Sequence, residues 1–127
     1  MKVKIVNKNS GLSQDKMDVL QTFIIYCQET SPLKKDVTIT FLGERIGKMT
    51  TGSEISGTIK VLAKNRMVRD ILKTIAHEWV HEFARQRNIK LQGYNTMSQE
   101  DYANAESGLM VTNFEKKYPE LSAILYT

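Results

Sequence analysis

Arg66-Met67-Val68-Arg69-Asp70-Ile71-Leu72-Lys73-Thr74-Ile75-Ala76-His77-Glu78-Trp79-Val80-His81-Glu82-Phe83-Ala84-Arg85-Gln86-Arg87 runs without a glycine or a proline. Val68, Leu72, Ile75, Trp79 and Phe83 recur at spacings of three and four, which is one stripe of an α-helix. Ile71, Ala76, Val80 and Ala84 widen that stripe, so the helix is expected to pack on more than one side. Arg85 and Arg87 fall in its last turn and Asn88 is the expected stop.

This run also carries the only two histidines of the chain. Positions i and i+4 of a helix share a face, so the imidazoles of His77 and His81 can reach one metal ion. Glu78 follows the first of them and can take a proton from a water activated by that metal. In shuffles of this composition, His-Glu-x-x-His arises on the order of one time in a thousand. Zinc is the expected cofactor, because it takes imidazole ligands and brings a bound water to a pKa of about 7.

A catalytic zinc usually keeps about three protein ligands and an open position. After His81, the eighteen residues Glu82 to Gln99 lead to Glu100. A second helix is expected to begin here. Thr96 and Ser98 are candidate N-caps, and Ser98 has Asp101 three residues on, as in a capping box. Ala103, Ser107, Met110 and Phe114 form a helical stripe, and Pro119 marks its end. Glu100 then stands in the first turn as the candidate third ligand. Asn104, one turn further along the same face, is the candidate to hydrogen-bond a ligand from behind. Asp101 and Glu106 compete with Glu100, but Asp101 points roughly 100° away around the helix and Glu106 lies almost two turns in.

His-Glu-x-x-His, eighteen residues, then Glu resembles the signature of the gluzincin zinc metallopeptidases, the thermolysin-like branch of the zincins. Glu100-Asp101-Tyr102-Ala103-Asn104 is similar to the Glu-x-x-Ala-Asn segment of the small ImmA/IrrE-like metallopeptidases, and the chain length resembles that of the single-domain minigluzincins. The resemblance covers residues 74 to 104. It implies a minimal zincin-like domain, zinc on His77, His81 and Glu100, Glu78 as general base, and hydrolysis of peptide bonds in a peptide or protein substrate. Ala84 and Arg87 exclude the metzincin pattern. Thermolysin-like enzymes use a further histidine and a tyrosine on the substrate oxyanion. With no third histidine, either Tyr94, Tyr102, Tyr118, Tyr126, Arg85 or Arg87 serves, with Tyr94 favoured by its place in the connecting loop, or the donor is missing.

The rest of the chain frames these expectations. Its 127 residues suit one domain, 1–127, with one core. The lone Cys27 excludes an internal disulfide and a multi-cysteine zinc site. No apolar run is long enough for a transmembrane helix or a signal peptide, so a cytoplasmic protein with no membrane partner is expected. The net charge is +4. The densest basic stretch, Lys60, Lys64, Arg66, Arg69 and Lys73, reads as a solvated face rather than a nucleic-acid stripe.

Met1 to Val6 alternates as a strand, and Asn9-Ser10-Gly11 is a turn. Ser13 caps a helix to about Glu29 with Leu20, Phe23, Ile24 and Cys27 inward. Val37, Ile39 and Phe41 alternate with Thr38 and Thr40 as a half-buried strand. Residues 43 to 57, with four glycines, are a loop or a loose hairpin. Thr58 to Ala63 alternate again. The order predicts an α+β fold, a small twisted mixed sheet packed against an N-terminal helix and the His77–His81 helix, followed by the Glu100 helix. By resemblance, Gly57 to Leu62 is the strand whose free edge holds substrate; from the sequence it reads equally as an ordinary interior strand. The alternative reading is a latent or non-catalytic zinc-binding regulatory domain. Its cleft would be blocked by a partner or by the apolar tail Tyr118 to Thr127, although the tail reads more simply as completing the core.

Overall fold

The computed structural model describes residues 1–89 and 98–127. The protein is α+β. Strands β1 (Val3–Lys8), β2 (Val37–Leu42), β3 (Gly52–Ile55) and β4 (Thr58–Leu62) form one mixed sheet in the order β1-β2-β4-β3. The first three neighbours are parallel and β3 runs antiparallel to β4. Helices α1 (Gln14–Thr30), α2 (Val68–Arg87) and α3 (Gln99–Lys117) follow the chain order read from the sequence. A 3₁₀ turn (Pro119–Leu121) and a short helix α4 (Ser122–Leu125) complete it.

Register explains which face is buried. Ile5, Ile39 and Ile59 lie side by side across the three parallel strands, as do Asn7, Phe41 and Val61. Ile39, Phe41, Ile59 and Val61 are fully buried beneath the helices. The opposite face carries Lys4, Thr38 and Thr58, then Val6, Thr40 and Lys60. β2 is more deeply buried than a half-buried strand, because it is central: Val6 and Lys60 flank Thr40 and leave it 8% exposed. Parallel strands with neighbours on both sides are normally covered in this way.

The helix ends follow local chemistry. The Ser13 hydroxyl accepts from the Lys16 N–H at the start of α1, and Ser98 accepts from the Asp101 N–H at the start of α3. Thr96, the other candidate cap, lies outside the described residues. Asn88 closes α2 in the left-handed conformation at φ 52°. Along α2, Val68, Ile71, Leu72, Ile75, Ala76, Trp79, Val80 and Ala84 are buried. Phe83 is only half-buried and lies under the Arg87 guanidinium at 4.5 Å. The Trp79 indole N–H donates to the Ser31 carbonyl at 2.8 Å, which satisfies its polar handle.

Two readings left open by the sequence are settled here. Residues 52–58 form a tight hairpin rather than a loose one. Ser56 (φ 41°) and Gly57 (φ 86°) both take the positive φ that a two-residue type I′ turn requires. That hairpin makes β4 an interior strand, paired to β2 and β3, as in the second reading of Gly57 to Leu62, and the free edge belongs to β3. The tail is also placed. Leu125 is fully buried in the core, and the Thr127 carbonyl accepts from the Val68 N–H at 3.3 Å, at the otherwise uncapped start of α2. Among the described residues, no helix is long and apolar enough to cross a membrane.

Candidate metal centre

α2 presents a second stripe that is polar. Thr74, Glu78 and Glu82 recur at i, i+4 and i+8, and all three are buried. β3 runs along this stripe. Its core-facing residues are Gly52 and Glu54, opposite Val61 and Ile59 of β4. Two strand residues span about 6.6 Å and one helical turn of four residues about 6 Å, so strand and helix stay in step. Gly52 meets Thr74 and Glu78; a Cβ there would lie 2.5 Å from Thr74 Cγ2 and 3.2 Å from Glu78 Cγ. Only glycine lets the strand come this close.

One turn on, Glu54 meets Glu82 and Arg85. The Glu82 side chain is fully buried and accepts four hydrogen bonds. The donors are the Gly57 N–H at 2.9 Å, Arg85 Nε at 3.0 Å and Nη2 at 2.6 Å, and Gln86 Nε2 at 2.7 Å. Burial opposes its charge, but these donors win and hold its pKa at about 2. Glu54 goes the other way. Burial and the neighbouring Glu82 carboxylate push it up to about 7, against the pull of Arg85. Its Oε2 is buried without a hydrogen-bond partner, with Arg85 Nε 3.5 Å away. This cluster pins the β3–β4 hairpin to α2. It was missed in the sequence, although a signal was there: Thr74, Glu78 and Glu82 repeat at four-residue spacing beside the apolar stripe, with Arg85 three residues after Glu82.

The predicted ligands converge. His77 Nε2 and His81 Nε2 lie 3.2 Å apart. The Glu100 carboxylate spans both, with Oε2 at 3.0 Å from His77 Nε2 and Oε1 at 2.8 Å from His81 Nε2. The ligand atoms of His77, Glu78 and His81 all lie within 4.8 Å of one another. This donor set fits a small divalent metal. Tetrahedral zinc with bonds of about 2.0–2.1 Å has donor–donor edges of about 3.3 Å, and the three measured separations fall just short of that. Burial lowers the pKa of His81, favouring the neutral, metal-binding imidazole, although Glu100 pulls the other way. Burial likewise raises that of Glu78, opposed by His77 and reinforced by Glu100. A carboxylate with its basicity raised is better suited to accept a proton.

A cavity of about 320 Å³ opens beside these residues, with His77, Glu78 and Asn104 in its wall. Asn104 faces this space. Its side chain makes no hydrogen bond to His77, His81 or Glu100, so the supporting role expected for it is not met. A residue four positions on along one helix stands beside Glu100, facing the cavity, rather than behind it. The cavity wall also contains Arg66 and Lys73, which the sequence placed on a solvated basic face, Ser107 from the stripe of α3, and Asp70, which the sequence did not single out. None of the oxyanion candidates among the described residues lines it. Arg85 is held by Glu82, Arg87 donates to the Pro32 carbonyl at 2.9 Å, and the Tyr126 hydroxyl bonds Glu115 at 3.3 Å. Tyr118 stacks on Phe114 at 4.9 Å, Tyr102 packs against the core, and Tyr94 lies outside the described residues. The tail does not line the cavity either. No protein family, curated protein or solved structure matches the chain, and the chemistry of this centre is read from its own residues.

Proposed function

We propose that the protein is a zinc-dependent metallopeptidase of gluzincin type. One observation carries the reading: two imidazole nitrogens and a carboxylate converge within 2.8–3.2 Å, beside a buried glutamate that borders a cavity. His77, His81 and Glu100 would hold the ion, with Glu78 left free to move a proton. Zinc in such a site would supply Lewis acidity and lower the pKa of a bound water to about 7. Glu78 takes the proton of the attacking water as its oxygen bonds to the scissile carbonyl carbon. It then delivers that proton to the departing amine as the C–N bond breaks. The outer edge of β3 has no strand partner among the described residues, and its backbone N–H and C=O groups suit pairing with an extended peptide.

Metal binding without turnover is the second reading. It is favoured by the engagement of Arg85, Arg87 and Tyr126 elsewhere, which leaves them unable to serve the oxyanion. Metal analysis together with a peptide-library digest decides between the readings. The parent is expected to carry about one zinc and to cleave, and His81→Ala to lose both. Zinc retained with no cleavage of any peptide would leave only the second reading standing.

A further inference from the structure

The cavity beside Glu78 contains two cations that the hydrolytic step does not use. Arg66 is half-buried there, and its guanidinium is fixed by neutral acceptors alone. Nη1 donates to the Leu62 carbonyl at 2.6 Å, and Nη2 donates to the Asp70 carbonyl at 3.1 Å and Thr74 Oγ1 at 2.9 Å. Thr74 is itself buried and anchored to the Asp70 carbonyl at 3.2 Å, so the fork cannot swing away. Burial lowers the pKa of Arg66, with Asp70 opposing, which marks a charge poorly served by solvent. Lys73 is exposed and, like Arg66, forms no ion pair among the described residues. The Asp70 carboxylate also borders the cavity but pairs with neither cation. A partly desolvated guanidinium without a carboxylate partner is costly, and the cost falls when an anion arrives.

Position gives this charge its meaning. Lys73 precedes His77 by four residues on α2, so the two share a face and stand about 6 Å apart along the axis. Gly52, at the start of the edge strand, and Glu78 line the same space. At about 320 Å³ the cavity is near the lower end of the about 300–1,000 Å³ found for ligand pockets, a size suited to one side chain or chain end.

We propose that this cavity is the specificity subsite of the enzyme and that it takes a substrate carboxylate, with Lys73 and Arg66 as the specificity-determining cations. The inference rests on the peptidase reading for its place beside the scissile bond, but not for carboxylate binding itself. The carboxylate comes either from an acidic side chain adjoining the scissile bond or from the C-terminus of the peptide.

Titration of the full-length, zinc-loaded protein with three small probes tests it, followed at the backbone amides of Gly52, Thr74 and Ser107 by heteronuclear NMR. N-acetyl-glutamic acid α-amide offers only a side-chain carboxylate, N-acetyl-alanine only a terminal one, and N-acetyl-glutamine α-amide neither. At least one acid is expected to bind about tenfold or more tightly than the glutamine probe. Lys73→Gln is expected to abolish that preference and Lys73→Arg to retain it. Because Lys73 is exposed, its variants keep the fold, and binding to the metal alone would survive Lys73→Gln. Preference for the first acid assigns recognition of an acidic residue, and preference for the second assigns recognition of a chain end. Equal binding of all three probes, or a preference untouched by Lys73→Gln, overturns the proposal. A peptide-library digest separates the two readings: carboxylate binding without cleavage defeats the peptidase alone, and cleavage with no carboxylate preference in either assay defeats the subsite alone.

Discussion

Glu78 and Gly52 face each other across the narrowest part of the centre. Glu78→Gln keeps the size and removes the base, so turnover should fall by about 10²–10⁴ while zinc content stays at parent level. A variant that cleaves as fast as the parent removes Glu78 from the mechanism. Gly52→Ala places a methyl 2.5 Å from Thr74 Cγ2, whose hydroxyl is tied to Arg66 and Asp70 and cannot give way. The strand must lift, which is expected to cost about 1–3 kcal/mol in urea unfolding and to lower peptide turnover with zinc retained. Unchanged stability and turnover would mean that β3 does not need this close approach. At this scale much was legible, because ligand spacing on a helix is a property of consecutive residues. What could not be read was the partner across the fold: nothing near Gly52 in sequence says that Glu78 lies against it.

The β3–β4 hairpin and α2 are joined by the Glu54–Glu82–Arg85 cluster, and the proton on Glu54 belongs to that junction. Its pKa is raised from 4.5 to about 7 in the folded chain. The folded state therefore binds this proton more tightly than the unfolded one. The stability it contributes is complete below pH 4.5 and is lost as pH rises through 7. Between those limits the parent should lose roughly 1–3 kcal/mol from this group, and Glu54→Gln should flatten the profile, both read by urea denaturation from pH 4.5 to 8. An identical slope in the variant would show that Glu54 carries no such shift. The hairpin itself was only half legible. Glycines between residues 43 and 57 signalled turns, but the two positive-φ positions that fix register, Ser56 and Gly57, do not stand out among them. β2 was read as half-buried for a related reason: its alternation is genuine, but its central place in the sheet, which buries Thr40, is set by pairing with β1 and β4.

Across the whole molecule, α2 is the shared wall of core and metal centre, and the tail supports its N-terminal end. Leu125→Ala should cost about 2–5 kcal/mol, and deletion of residues 122–127 should lower the melting temperature without raising activity on any peptide. A stable truncated protein with increased cleavage would return the tail to an inhibitory role. The sequence by itself determined the three long helices, the caps Ser13 and Asn88, Ser98 as one of two candidates, and the His77–Glu78–His81 face, since periodicity and capping depend on residues within a turn or two of each other. It also pointed to Glu100, because a spacing of eighteen residues after His81 is still a count along the chain. Only the tertiary structure decided that β3 and not β4 is the edge strand, that Glu82 is buried and satisfied, and that Asn104 lines the cavity. It alone brought Arg66 and Lys73 to the same space as Glu78. Each of these depends on which distant segments pack together, and that follows from burying the apolar faces of sheet and helices as one core rather than from any short stretch of the chain.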